Sequence, residues 1–495
     1  MTNEELAALR ALWQRWGNAP AISGATIAGL IERGDIAEAR AAQLQAQIDA
    51  LTQQPPPPPP PDPPATLAWR DQCRADWERT YAQKSYALLM AMQSGKVVYI
   101  DLNAASDGTG TWQSPRNRMP PLFGGEAYLF KLGNVFRGTL RPAGYTLIGT
   151  YDPASGGRVI DKNRPLAIFD ANGANKCIDA PVSNITLSGV KLTTSNTFTA
   201  GGTFGFYSCP VGGGNDHIIE HCDVDGLRPA VDRQGISGGI YVWGKGTVVR
   251  ANRFRRSPLD CIYIARSNGG VGPTGASIYG NDVELEQGIV TDGPDCVQIH
   301  SGGGTFGTVR VFDNWLRHRS NVKQCIVLSG SSSSGDLADI SDNVALGPVQ
   351  TEPFPLNDPI RKGKTVYSEC QNTIVSRNKI DSGVWAIGLY GAGSKAVRNV
   401  MVFDAPGKTI DLGVIAQAPR IEIDRNRFVV LAGTLTEGVE HYLASATGVS
   451  ITNNRFEVRG GTLDIPVRRN PGGSTESGTV VERNSTRTDF EFLPE

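Results

Sequence analysis

Two aspartates, Asp260 in LDCIYI and Asp295 in PDCVQIH, each stand immediately before a cysteine that opens a short apolar run. On adjoining strands they lie about 5 Å apart, one inter-strand spacing. That separation suits the carboxylate pair of retaining glycosidic-bond hydrolysis, whereas an inverting pair needs a wider gap. The competing account is that both side chains hydrogen-bond at their turns. Around them the charge alternates: Arg255 and Arg256, then Glu284 and Glu286, then Arg317, His318 and Arg319. Stacked, these make a basic, acidic, basic surface that suits an anionic ligand, with Arg neutralising a carboxylate and an acid or a histidine (His300 or His318) working on a bond. Plain ion pairs between strands explain the same pattern. Trp315 offers a stacking platform among these charges, and Tyr241, Trp243 and Tyr263 form a second aromatic strip.

Other strings are less specific. HIIEH, residues 217–221, matches a zinc-protease motif that requires a helix to bring both histidines to one face, and here it falls on a strand. GAGSKA, residues 391–396, resembles a dinucleotide-binding glycine loop but lacks the strand and helix that such a loop joins, so it reads as a turn. Cys261, Cys296 and Cys325 open three successive apolar runs, where small thiols serve packing. No metal site and no cofactor is expected.

The elements that position these residues are repeats. TVVRANRF, ASIYGNDV, TVRVFDNWL, ADISDNVA, TIVSRNKI, IEIDRNRF, VSITNNRF and TVVERNST align on Asn252, Asn281, Asn314, Asn343, Asn378, Asn426, Asn454 and Asn484, with a weaker copy at Asn399. Successive spacings are 29, 33, 29, 35, 21, 27, 28 and 30 residues. Three places before each strong Asn stands a β-branched residue, and two places after stands an apolar one, except at Thr486. With ITLSGVKL and HIIEHCDV the copies number about eleven. Repeats of this length are stacked units that cannot bury an apolar face alone. Apolar residues two apart mark a strand with one face inward. An Asn between them suits a tight turn, because it tolerates left-handed backbone and its amide hydrogen-bonds along a stack. A second strand per coil follows in GIYVW, CIYIA, CVQIH, CIVLS and AIGLY.

These repeats, together with YIDLNAASDGTGTWQSPRNRMPPL (99–122) and YLFKLGNVFRGTLRP (128–142), resemble the right-handed parallel β-helix superfamily of pectate lyase-like folds. The resemblance implies an all-β right-handed parallel β-helix of about eleven coils over residues 96–484. That fold hosts polysaccharide lyases, glycoside hydrolases and phage tailspikes, so it specifies architecture more than activity. Ahead of it, residues 1–54 read as a helical module, residues 55–64 as a polyproline spacer of about 30 Å, and residues 65–95 as a helical neck; residues 485–495 form a tail.

The chain has 495 residues, 58 glycines and a formal charge of −1, which excludes the basic footprint of a nucleic-acid binder. Its acidic N-terminus is unlike a secretory leader, no apolar run is long enough to span a membrane, and eight dispersed cysteines do not make a disulfide framework. A helical module and a stiff spacer before a β-helix resemble a phage tailspike or tail fibre held to the virion by its N-terminus. This implies a virion protein, made in host cytoplasm, that recognises bacterial surface polysaccharide, with depolymerase activity left open. A homotrimer is possible, although the tail is too short for the trimerisation domain that many tailspikes carry. A purely structural fibre and a bacterial carbohydrate-active enzyme remain alternatives.

Overall fold

The computed structural model describes residues 97–195, 204–209, 214–225, 238–257, 260–267, 270, 272–285, 295–318, 324–347, 364–382, 385–442, 447–468 and 480–487. The expected N-terminal module, spacer and neck lie outside these residues.

Each coil is built from three short strands, and all coils stack in parallel. The strand before the Asn forms the first face, as in Val248–Arg250, Ser277–Tyr279, Thr308–Phe312 and Leu337–Ser341, paired in that order. The strand after the Asn forms the second face: Arg253–Ser257, Asp282–Leu285, Trp315–His318 and Val344–Leu346. Gly238–Trp243, Ile262–Ala265, Val297–His300 and Ile326–Ser329 form the third. Two longer strands, Val400–Ala416 and Arg427–His441, run from the second face to the third and join them into one 22-stranded sheet. The first face is a 15-stranded sheet in which only Arg158–Val159, against Leu147–Tyr151, is antiparallel. The result is a right-handed parallel β-helix, the hand that parallel crossovers adopt.

Its first face begins with Val97–Ile100, Ala127–Lys131 and Leu147–Tyr151, before the first copy of the repeat. Counting repeats therefore gave fewer coils than the fold has. At the other end Ser485–Arg487 pairs with Arg455–Glu457, so the last coil takes the first residues expected of the tail.

Period-two alternation fills the interior. On the first face Val249, Ile278, Val311, Ile340, Val375, Ala396, Ile423 and Ile451 stack in register, all nearly or fully buried. On the second face Phe254, Val283, Leu316, Ala345, Ile380, Met401, Phe428 and Phe456 do the same. Each such aliphatic or aromatic side chain contributes about 1.5–3 kcal/mol of burial, which no coil obtains without its neighbours.

Between the first two faces runs the asparagine ladder. From Asn252 to Asn454, each Nδ2 donates to Oδ1 of the Asn in the next coil at 2.9–3.0 Å, reaching Asn484. Each backbone N–H donates to the same Oδ1, and each Nδ2 also donates to a carbonyl of the previous coil, such as Ile278 for Asn314. The turn itself is made one residue earlier than the sequence suggested. Ala251, Gly280, Asp313, Asp342, Arg377, Arg398, Arg425, Asn453 and Arg483 carry the left-handed φ, between 53° and 63°. The ladder asparagine is selected for its amide, and the corner residue before it accepts the strained backbone at about 1–2 kcal/mol for a non-glycine.

Asn314→Ala removes the acceptor for the buried Asn281 N–H and Nδ2 and the donor to Asn343. Unfolding in denaturant is expected to show a loss of about 2–4 kcal/mol, whereas truncating the outward Val344 should cost well under 1 kcal/mol.

Candidate functional site

The ladder fixes two solvent-facing positions per coil on the second face, the residues one and three places after each Asn. Register pairs Asp282 with Trp315 and Val344, and Glu284 with Arg317 and Leu346. Beside them the left-handed corner residues Gly280, Asp313 and Asp342 form a parallel row. Together with Arg255 these side chains line an open cleft of about 590 Å³.

Trp315 is 48% exposed, which is uncommon for an indole in a well-packed solenoid. Its ring has the Arg317 guanidinium over it at 5.9 Å. Behind it the charges interlock. Arg255 bonds Asp282 through Nη2 at 2.5 Å and lies 3.5 Å from Glu284, which is also 3.5 Å from Arg317. Asp342 pairs with Arg377. Inter-coil ion pairs therefore join Arg255, Glu284 and Arg317, and they present alternating acceptors and forked donors around an exposed aromatic face. That combination suits a polyhydroxylated ring, whose C–H face stacks on indole while its hydroxyls bond carboxylate and guanidinium.

The residues expected to converge here do so only in part. Glu284, Arg255, Arg317 and Trp315 meet in the cleft, joined by Asp282, Asp313 and Asp342, which sequence reasoning missed. Their signal was position, since they flank ladder asparagines by one residue on either side. His318 is 1% exposed and in register with the inward Leu285, because three places after Trp315 on a strand is the opposite face. His318 is thus a core residue and does not line the cleft. Glu286, Arg319 and the side chain of Arg256 lie outside the described residues.

Asp260 and Asp295 are one coil apart at the entry to the third face, away from the cleft. Asp260 Oδ1 accepts from the Asp295 N–H and Asp295 Oδ1 from the Gln324 N–H, both at 2.9 Å. Asp295 is 2% exposed. This is a second, shorter ladder in which one oxygen of each carboxylate satisfies a backbone donor. Behind these aspartates Cys261, Cys296 and Cys325 are buried as free thiols, and burial, then Cys325, pushes the Cys296 thiol well up.

On the third face Tyr241 stacks on Tyr263 at 4.3 Å and on Tyr207 at 5.8 Å, with Trp243 6.4 Å away. Both ring faces of Tyr241 are thus covered, and burial first, then Asp260, raises its hydroxyl. His300 Nδ1 lies 3.1 Å from Ser329 Oγ on the same face. In HIIEH the strand disperses the ligands: His217 is buried, Glu220 pairs with Arg250 and Arg158, and His221 sits left-handed at the corner. His217 Nδ1 accepts from the Ile185 N–H, so Nε2 carries the proton it shares with Ser208 Oγ at 2.9 Å. That tautomer cannot take a proton from the serine.

No protein-family model and no curated protein matches the sequence. Among solved structures, the chain is similar to a GH136 lacto-N-biosidase from Eubacterium ramulus, with 13% identity over 98% of this chain and 80% of that one and a TM-score of 0.45. It is also similar to the A-module of the mannuronan C-5 epimerase AlgE6 from Azotobacter vinelandii, with 10% identity over 74% and 91% of the two chains and a TM-score of 0.42. The parallel β-helix rests on this chain's own strand pairing.

The structural role of Asp295 predicts a split between two substitutions. Asp295→Ala leaves the Gln324 N–H without its acceptor and should cost about 1–3 kcal/mol in denaturant unfolding, whereas Asp295→Asn, which keeps an oxygen there, should cost less than half of that.

Proposed function

We propose that this β-helix binds a polysaccharide across the Trp315 cleft. The observation that carries the reading is the half-exposed Trp315 ring, set among ion-paired carboxylates and guanidinium groups on a rigid two-coil floor. Asp282, Glu284 and Asp342 each hold a guanidinium partner, an arrangement that favours recognition over bond cleavage. The wider setting we propose is a phage tail protein that meets bacterial surface polysaccharide through this face. Residues 1–54 would contact other tail or baseplate proteins, and the polyproline run would space the two. A depolymerase reading centres on Glu284, which faces both Arg255 and Arg317 and lies one coil from Trp315.

Calorimetric titration with capsular or lipopolysaccharide fragments of candidate hosts tests the binding reading. Trp315→Ala should weaken affinity by about 1–3 kcal/mol, from lost stacking and apolar burial. Unchanged affinity in that variant rejects the cleft. Product analysis of the same mixtures separates binding from turnover: if fragments shorten, Glu284→Gln should abolish the cleavage while retaining binding, because a catalytic acid acts chiefly in the transition state.

A further inference from the structure

The column that contains Trp315 continues along the helix. In register it reads Trp315, Val344, Lys379, Val400, Arg427 and Arg455, one residue per coil. At about 4.8 Å per coil, Arg427 and Arg455 lie ~19 and ~24 Å beyond the indole. The adjoining corner row changes sign along the same direction, from Asp313 and Asp342 to Arg377, Arg398 and Arg425. A straight solvent-facing track therefore passes from an acidic cleft to a run of cations.

At the far end of the track exposed guanidinium groups share one buried carboxylate. Glu457 is fully buried, and three guanidinium groups converge on it: Arg427 at 2.7 Å, Arg455 at 2.8 Å and Arg459 at 3.1 Å. The guanidinium side chains of Arg427 and Arg455 remain 43% and 47% exposed. Glu457 thus anchors Arg427 and Arg455 from below while both side chains stay nearly half exposed. Arg398, midway, has no carboxylate within ion-pair distance among the described residues. Acids beside the track include Asp404, Asp381, which is half-buried, pushed up by burial and by Asp404 and drawn down by Lys379, and Asp424, which is occupied by Arg425, Thr452 and Asn453. Glu457 supplies a single negative charge to both Arg427 and Arg455, so the two guanidinium groups together keep a net positive charge that an external anion can complete.

We propose that this track binds the carboxylates of an acidic polysaccharide running parallel to the helix axis, with Lys379, Arg398, Arg427 and Arg455 receiving successive acidic groups and Trp315 stacking a sugar at the other end. The inference rests on the cleft reading for its direction and on the Glu457 cluster for its charge.

Affinity electrophoresis of the full chain through gels containing polygalacturonate, or dextran as the neutral counterpart, tests it. Wild type is expected to be retarded by polygalacturonate and not by dextran, and the retardation should fade as salt rises. Arg427→Gln/Arg455→Gln should raise the apparent Kd at least tenfold. Because that pair also supports Glu457, Lys379→Gln/Arg398→Gln serves as a second variant that leaves the three guanidinium groups in place, and a severalfold loss is expected. Unretarded wild type, equal retardation by dextran, or full retardation in both double variants overturns the track. Trp315→Ala in the same gels keeps the two readings apart. Binding lost in the arginine variants but not in Trp315→Ala sinks the cleft and keeps the track; the reverse keeps the cleft alone.

Discussion

A buried amide that bonds an identical amide one coil away sets the terms for this molecule. Each ladder asparagine, nearly free of solvent from Asn252 to Asn454, gives its Nδ2 to the next asparagine, and from Asn281 onward each takes two donors from the one before. A shift of one residue in any coil would break these bonds and turn every neighbouring side chain to the wrong face, so the ladder and the period-two alternation enforce the same register. Loop length is unconstrained by it. Adjacent asparagines are separated by as few as 21 and as many as 35 residues while the corner geometry is unchanged.

That separation between a fixed corner and free connections explains what the sequence revealed. The first-face and second-face apolar columns were legible because Val249, Phe254 and their equivalents hold fixed offsets from the Asn. The third face was legible through CIYIA, CVQIH and CIVLS, although its distance from the Asn varies. The left-handed residue was placed one position late, since Asn is the usual occupant of such a backbone and its neighbours here are as unlike as Ala251, Asp313 and Arg377. His318 was misread for a similar reason. It stands in a charged string, Arg317-His318-Arg319, yet strand alternation sends it inward behind Trp315. The carboxylates Asp260 and Asp295 had the right spacing for chemistry, and the structure adds that one oxygen of each accepts a backbone N–H from the next coil.

The same rigidity bears on function. A cleft placed at a ladder corner has its floor fixed by Asn281 and Asn314, so Trp315, Asp282 and Glu284 would meet a ligand with little backbone entropy left to lose. Extension of the same column to Arg427 and Arg455 turns a local cleft into a track, and a polymer is the ligand class for which a straight, repeating surface is useful.

A crystal structure of the full chain soaked with an acidic oligosaccharide long enough to span six coils tests this account most directly. The account predicts a chain parallel to the helix axis on the second face, one sugar stacked on Trp315 and carboxylates against Arg398, Arg427 and Arg455. Density confined to the third face, over Tyr263 and His300, or lying across the axis, would contradict it.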